Sequence, residues 1–121
     1  MWGDGRQTRS FLYVSECVEA VLRLMNSEFT GPVNIGSEEM VSINRLAEMA
    51  IEISGKIISI NNLGGQDFID KYGFSCPTGV RGRNSDNKLY REKIGGWEVS
   101  MPLLEGMKKT YEWISKQVDK A

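Results

Sequence analysis

Along this chain, apolar residues at helical spacing alternate with short β-prone runs. Phe11 to Val14 is aromatic and β-branched after a polar lead-in, which predicts a strand. Ser15 follows as a predicted N-cap, with Glu16 near the positive end of a helix. Cys17, Val18, Val21, Leu22 and Met25 then fall three and four apart, one face of an amphipathic helix ending near Asn26. Beyond Gly31-Pro32, Val33 to Ile35 reads as a short strand closed by Gly36-Ser37. Ser42 predicts the start of a second helix, with Ile43, Leu46, Ala47, Ala50 and Ile53 on one side and Gly55 as its stop. Ile57 to Ile60 predicts another strand. The stretch from 61 to 78 carries Gly64, Gly65, Gly73 and Pro77 and predicts irregular backbone. Within it, Phe68, Ile69, Tyr72 and Phe74 fit either a short helical turn or a sticky surface.

A third helix is predicted to start near Asp86 and to end before Gly95-Gly96. The last begins around Ser100 to Pro102, with Leu104, Met107, Tyr111, Ile114 and Val118 as an inward stripe. Strands alternating with helices predict an α/β class, with about three short strands and four helices. Such a sheet is thin, because parallel sheets normally have several neighbours and both faces covered. The chain therefore reads as a single segment, 1–121, forming the back part of a larger domain. Trp97 and Trp113 are expected in packing rather than stacking roles, and Lys108, Lys109, Lys116 and Lys120 on a solvated helix face.

Composition narrows the chemistry. The net charge of −1 gives no pull toward nucleic acid or an anionic membrane. No apolar run approaches the roughly 20 residues that span a bilayer. The polar, glycine-rich start is unlike a secretory signal, so a cytoplasmic location is expected. Cys17 and Cys76 have no metal-ligand spacing, and a buried free thiol is the expectation for Cys17. There is no histidine, which excludes Ser-His-Asp chemistry and histidine-bound zinc. Arginines, carboxylates, amides and backbone remain.

Among these the stretch Gly79 to Asn87, GVRGRNSDN, stands out. Arginine presents a planar fork of donors that matches phosphate or carboxylate. Gly79 and Gly82 permit close backbone approach and positive φ, and Asp86 can cap the following helix. The loop is either an anion clamp or a solvated turn with ordinary surface arginines.

Taken with WGDGRQTRSF at Trp2 to Phe11, VNIGS at Val33 to Ser37, and Lys93 to Trp97, the loop forms an ordered set of motifs. That set resembles the C-terminal part of the extended short-chain dehydrogenase/reductase, or NAD-dependent epimerase/dehydratase, family of sugar-nucleotide enzymes. The likeness runs from Trp2 to about Gln117 and implies a partial Rossmann-like fold. It implies that the full-length family enzyme uses NAD to oxidise a sugar carbon transiently, so that neighbouring centres can be inverted. For this segment it implies grip on the pyrophosphate of a GDP-sugar of the GDP-mannose kind. Arg9 matches one gripping arginine, Arg81 and Arg83 match a second clamp, and Gln7 and Asn84 are weaker polar contacts. An ion pair between Arg9 and an acid such as Glu16 is the structural alternative.

No G-x-x-G-x-x-G turn and no Tyr-x-x-x-Lys pair is present, so no cofactor-binding, catalytic or metal-binding residue is assigned. The expectation is a substrate-binding portion of a nucleotide-sugar epimerase, inactive alone. The alternative is a non-catalytic stand-alone binding or self-assembly module. A homo-oligomer or a missing N-terminal half are the expected protein partners. Two features depart from the family pattern: the long stretch from 65 to 78, and a second glycine in Ile94-Gly95-Gly96-Trp97.

Overall fold

A computed structural model describes residues 1–77 and 79–118. The chain forms two compact units, one from Met1–Arg9 with Val41–Arg83, the other from Ser10–Met40 with Asn84 onward. The fold class is α/β, with three short strands in one sheet and five helices among the described residues.

The first unit holds the sheet, in the order β2 (Met40–Ser42), β1 (Thr8–Ser10), β3 (Gly82–Arg83). β1 and β3 run parallel, with Thr8 opposite Gly82 and Arg9 opposite Arg83. Ser42 caps α2 (Ile43–Ser54), its Oγ accepting the Arg45 amide at 3.0 Å. Gly55 ends that helix at φ 63°, a left-handed conformation that a side chain resists. Both ends are where the sequence predicts them. Ser42→Ala is expected to cost about 1 kcal/mol, readable as a lower urea midpoint.

The stretch from 61 to 77 is not irregular throughout. α3 (Gly65–Tyr72) forms in it because Phe68, spaced from Tyr72 by one turn, is driven inside. Phe68 is fully buried, with Trp2 edge-on at 5.2 Å and Tyr72 and Phe74 at 4.7 and 5.5 Å. Thr78 lies outside the described residues. Ile57 to Ile60 is not a strand: no β partner is present for it among the described residues, and Ile57 is fully exposed.

The second unit contains α1 (Val14–Met25), α4 (Lys88–Lys93) and α5 (Leu103–Val118). Phe11 to Val14 is not a strand either. Val14 already belongs to α1, whose N-cap is Tyr13 rather than Ser15, and the strand lies earlier, at the polar Thr8–Ser10. Ala20, Tyr90 and Trp97 form the core, with Leu12, Leu24, Val33, Ile35, Ile94 and Val99 around them. Tyr90 donates its hydroxyl proton to the Ala20 carbonyl at 2.8 Å and meets Trp97 edge-on at 5.1 Å.

Val33 to Ile35 pack on this core, yet the segment is not a regular strand. Glu16 is buried, and its Oε1 accepts the Ser100 amide, the Ser100 hydroxyl and the Met101 amide. Those bonds hold the chain that enters α5. Gly95 and Gly96 both adopt left-handed φ, 68° and 67°, so the additional glycine completes the turn that seats Trp97.

The stripe on α5 is only partly inward. Leu104, Met107 and Tyr111 are half-buried, but Ile114 and Val118 are exposed, as is Trp113 at 65%. Trp113 therefore does not pack in this chain's core. Lys108, Lys109 and Lys116 are exposed as expected, while Lys120 lies outside the described residues.

Candidate functional site

The candidate site is built at the start of the chain. Trp2 pairs with Leu63, and Gly3 and Gly5 turn the backbone with φ of 78° and 66°. A Cβ on Gly5 would collide with the Asn44 amide, so the turn fits only glycine there. The Asp4 carbonyl accepts both Asn44 Nδ2 at 3.1 Å and Asn62 Nδ2 at 3.0 Å, and Asp4 Oδ1 accepts the Arg6 amide at 2.9 Å. This network fixes the direction in which β1 leaves the turn.

Register then decides which side chains meet. Residues two apart on a strand share a face, and paired residues on neighbouring strands do as well. Arg9 pairs with Arg83, so these two arginines share a sheet face. The Thr8 amide donates to the Arg81 carbonyl at 2.9 Å, which docks the approach to β3 against β1. Asp4, Arg6, Gln7, Gly79 and Arg81 line a cleft of about 300 Å³. Arg9 donates from Nη1 to the Thr8 carbonyl at 2.7 Å, and its Nη2 would lie 3.6 Å from a Cβ on Gly79. That guanidinium therefore lies beside Gly79, at a distance an ordinary Cβ would tolerate.

None of Arg6, Arg9, Arg81 and Arg83 pairs with a carboxylate among the described residues, whereas Arg23, Arg45 and Arg91 each do. Arg81 and Arg83 are exposed and Arg9 is half-buried. The structure therefore concentrates uncompensated donors at one place. Chemically, such a site can receive an anion with several oxygens.

Gln7 and Arg81 line the cleft directly, and Arg9 flanks it. Arg83 lies on the shared face beyond it, and is not among the lining residues. Asn84 belongs to the second unit, where its Oδ1 accepts the Ser85 amide at 2.9 Å and its Nδ2 reaches the Glu38 carbonyl at 3.5 Å. Asp4 and Arg6 escaped sequence reasoning. Their signal was present in Asp4-Gly5-Arg6-Gln7, two charges flanking a turn glycine. Gly79 and Gly82 do not use positive φ; Gly82 is an ordinary β3 residue.

The rest of the loop is structural. Asn87 is buried and donates to the Gly36 carbonyl at 2.6 Å, while Ser85 donates its hydroxyl proton to Asn87 Oδ1 at 2.7 Å. Asp86 Oδ1 accepts the Lys88 amide at 3.0 Å, so it does support the start of α4, although Asn87 holds the N-cap position. A larger cleft in the second unit, about 410 Å³, includes Glu38, Glu39, Arg91 and Trp97. Its acids are already engaged: Glu38 with the Asn87 amide and Arg91, Glu39 with the Leu103 amide.

The Asn87 amide and the Arg91 guanidinium hold the Glu38 carboxyl below its ordinary value of 4.5. A carboxyl whose pKa is lowered by folding adds stability above its unfolded pKa and loses it as pH falls through the folded one. Glu38→Gln is therefore expected to be less stable than the parent at neutral pH, with the gap closing in acid. Urea midpoints at neutral pH and well below 4.5 check this.

The described passages from strand to helix carry no glycine. β1 reaches α1 through Phe11, Leu12 and Tyr13, β2 enters α2 directly, and β3 reaches α4 through Asn84 to Asn87. No group of three or more Cys, Asp or Glu side chains is placed to hold a metal among the described residues, and both cysteines are free thiols. No helix of the described residues is long and apolar enough to cross a membrane.

Comparison with known proteins agrees with the motifs. Residues 1–36 match the model of the NAD dependent epimerase/dehydratase family. The chain is 52% identical over 120 residues to GDP-mannose 3,5-epimerase of Arabidopsis thaliana, which covers 99% of this chain and 29% of that protein. UDP-glucose 4-epimerase of Thermotoga maritima, solved with UDP-glucose, superposes with a TM-score of 0.80 at 28% identity, over 98% of this chain and 35% of that one. UDP-glucuronic acid 4-epimerase of Bacillus cereus, solved with UDP-glucuronic acid and NAD, shares the fold at a TM-score of 0.77 and 24% identity, covering 97% of this chain and 35% of that one. The chain thus spans about a third or less of the length of these proteins. In sequence and in fold the chain is similar to the C-terminal part of enzymes of the NAD dependent epimerase/dehydratase family, and nearly its whole length matches GDP-mannose 3,5-epimerase.

Proposed function

We propose that this chain is the substrate-binding portion of a nucleotide-sugar epimerase and that its arginine face grips the diphosphate of a GDP-sugar. The observation that carries this is the set of Arg6 and Arg81 on the cleft wall with Arg9 beside it and Arg83 on the sheet face beyond, none of them in an ion pair among the described residues. A diphosphate supplies the charge and the several oxygen acceptors that such a cluster needs. Gln7, on the wall of the same cleft, adds an amide that can reach a phosphate or a hydroxyl. The chain's residues bind and orient; a group that exchanges hydride or moves a carbon-bound proton is not assigned to them. NAD chemistry belongs, on this reading, to a longer protein of the epimerase kind acting in the cytoplasm.

Titration calorimetry tests the reading with GDP-mannose, GDP and guanosine. GDP-mannose and GDP are expected to bind while guanosine, which lacks the diphosphate, does not. Equal heats from all three, or none from any, would remove the clamp.

A further inference from the structure

The arginine cleft has an aromatic neighbour within its own unit. Trp2, Phe68, Tyr72 and Phe74 form one cluster, with ring centroids 4.7 to 6.5 Å apart. Phe68 seats α3 and is fully buried. The other three rings stay open to solvent, exposed by 55, 39 and 49% for Trp2, Tyr72 and Phe74. All pairs meet at interplanar angles between 43 and 86°, so no ring of the cluster is stacked flat on another. Lys71 Nζ stands 5.4 Å from the Tyr72 centroid, so that ring already has a partner, and Trp2 and Phe74 are the more exposed two. Both α3 and Phe74 lie in the stretch from 65 to 78 by which this chain departs from the family pattern.

Backbone pairing fixes the cluster beside the cleft. The Gly3 amide donates to the Leu63 carbonyl and the Leu63 amide to the Met1 carbonyl, each at 2.8 Å. Gly64, the N-cap of α3, lies against Gly3, where a Cβ on it would stand 3.5 Å from the Gly3 Cα. A Cβ on Gly3 would in turn lie 3.8 Å from Gln7 Nε2 and 4.0 Å from Cys76 Sγ. Gln7 is a wall of the arginine cleft. The cluster therefore starts one residue before this meeting point, at Trp2, and two residues before Cys76, at Phe74. From Trp2 to Asp4 on the cleft wall the chain spans at most about 7 Å.

Area decides what kind of occupant these rings suit. Three aromatic side chains of ~150–250 Å² each, about half exposed, offer roughly 300 Å². A stable protein interface takes about 800 Å² from each partner, so the cluster suits a small flat ligand instead. Open rings beside a cationic groove are the two parts of a nucleotide site: the cations take the phosphates, and a ring takes the base by stacking. We propose that Trp2 and Phe74 form a base-stacking platform, on which the nucleobase lies while its diphosphate occupies the arginine cleft. The proposal rests on the diphosphate reading of that cleft. Stacking reads ring area rather than hydrogen-bond pattern, so the platform favours purine over pyrimidine diphosphates.

Calorimetry with GDP, UDP and inorganic pyrophosphate tests this on the parent chain and on Trp2→Leu and Phe74→Leu. Leucine keeps an apolar group against Phe68 and removes the ring face. Trp2→Leu is expected to weaken GDP about tenfold and to leave pyrophosphate unchanged. Phe74→Leu should give a smaller loss of the same pattern, and the parent should bind GDP more tightly than UDP. GDP is also expected to quench tryptophan emission in the parent, a signal absent with pyrophosphate and lost in Trp2→Leu. Trp113→Leu, in the other unit, should keep both the affinity and the quench. Unchanged GDP affinity in both cluster variants, with pyrophosphate still bound, overturns the platform and leaves the clamp standing. Equal losses of GDP and pyrophosphate in Trp2→Leu also overturn it, since Trp2 would then act only through the fold of the turn. Pyrophosphate and GDP both failing to bind the parent removes the clamp and the platform together.

Discussion

Arg9→Ala is expected to lower the affinity of this chain for GDP-mannose by about a hundredfold. A charge-assisted hydrogen bond is worth ~1.5–3 kcal/mol, and a hundredfold loss of affinity is about 2.7 kcal/mol. Arg9 should carry the largest single effect because it is already held. It is half-buried, tied to the Thr8 carbonyl at 2.7 Å, and flanked by Gly79. Less side-chain freedom is then lost when an anion binds. Arg81 is exposed and must be ordered by the ligand, so Arg81→Ala is expected to cost about tenfold. Arg9→Lys should restore only part of the loss, since a lysine keeps the charge but not the planar fork. Calorimetry on the variants reads these differences, with circular dichroism confirming that each remains folded. Unchanged affinity in both alanine variants would place the anion elsewhere.

Tyr90→Ala is expected to destabilise the second unit by about 4 kcal/mol, in the range of large aromatic-to-alanine changes in a core. Tyr90 is fully buried, faces Trp97 edge-on, and ties α4 to α1 through its bond to the Ala20 carbonyl. Burial raises the phenol's pKa, which keeps the donated proton in place across the ordinary pH range. Tyr90→Phe separates packing from the hydrogen bond: it retains the ring and should cost only about 1 kcal/mol. Because domains are stable by only about 5–15 kcal/mol, the alanine variant should unfold at a much lower urea concentration. Equal losses in the two variants would mean that the hydroxyl, not the ring, supports the core.

The elements read correctly in advance are those whose signal is local. Ser42 and Gly55 bound α2 because a side-chain cap and a left-handed stop act within one turn of the helix. The arginine loop was recognisable for a similar reason: two forked cations and two glycines in five residues are a composition that few purely structural loops need. Strands β1 and β3 went unread because neither carries a hydrophobic pattern. Thr8–Ser10 and Gly82–Arg83 are polar and two or three residues long, and only mutual pairing makes them strands. Phe11 to Val14 and Ile57 to Ile60 have the pattern without the partner. Trp113 shows the same limit on a helix, since period alone cannot say whether a facing surface is present.

By itself the sequence determined the α/β class, both ends of α2 and the lack of histidine chemistry, and it singled out the arginines proposed to grip an anion. These follow from propensity, capping and functional-group chemistry, which act over a few residues. Tertiary structure alone decided that Arg9 stands opposite Arg83, that Asp4 and Arg6 join the cleft, and that Asn84 turns instead to Glu38. It also decided that one apolar side of α1 stays bare. The physical reason is register: the pairing that brings Arg9 to Arg83 is a contact between distant parts of the chain, and no local pattern encodes which residues will meet there.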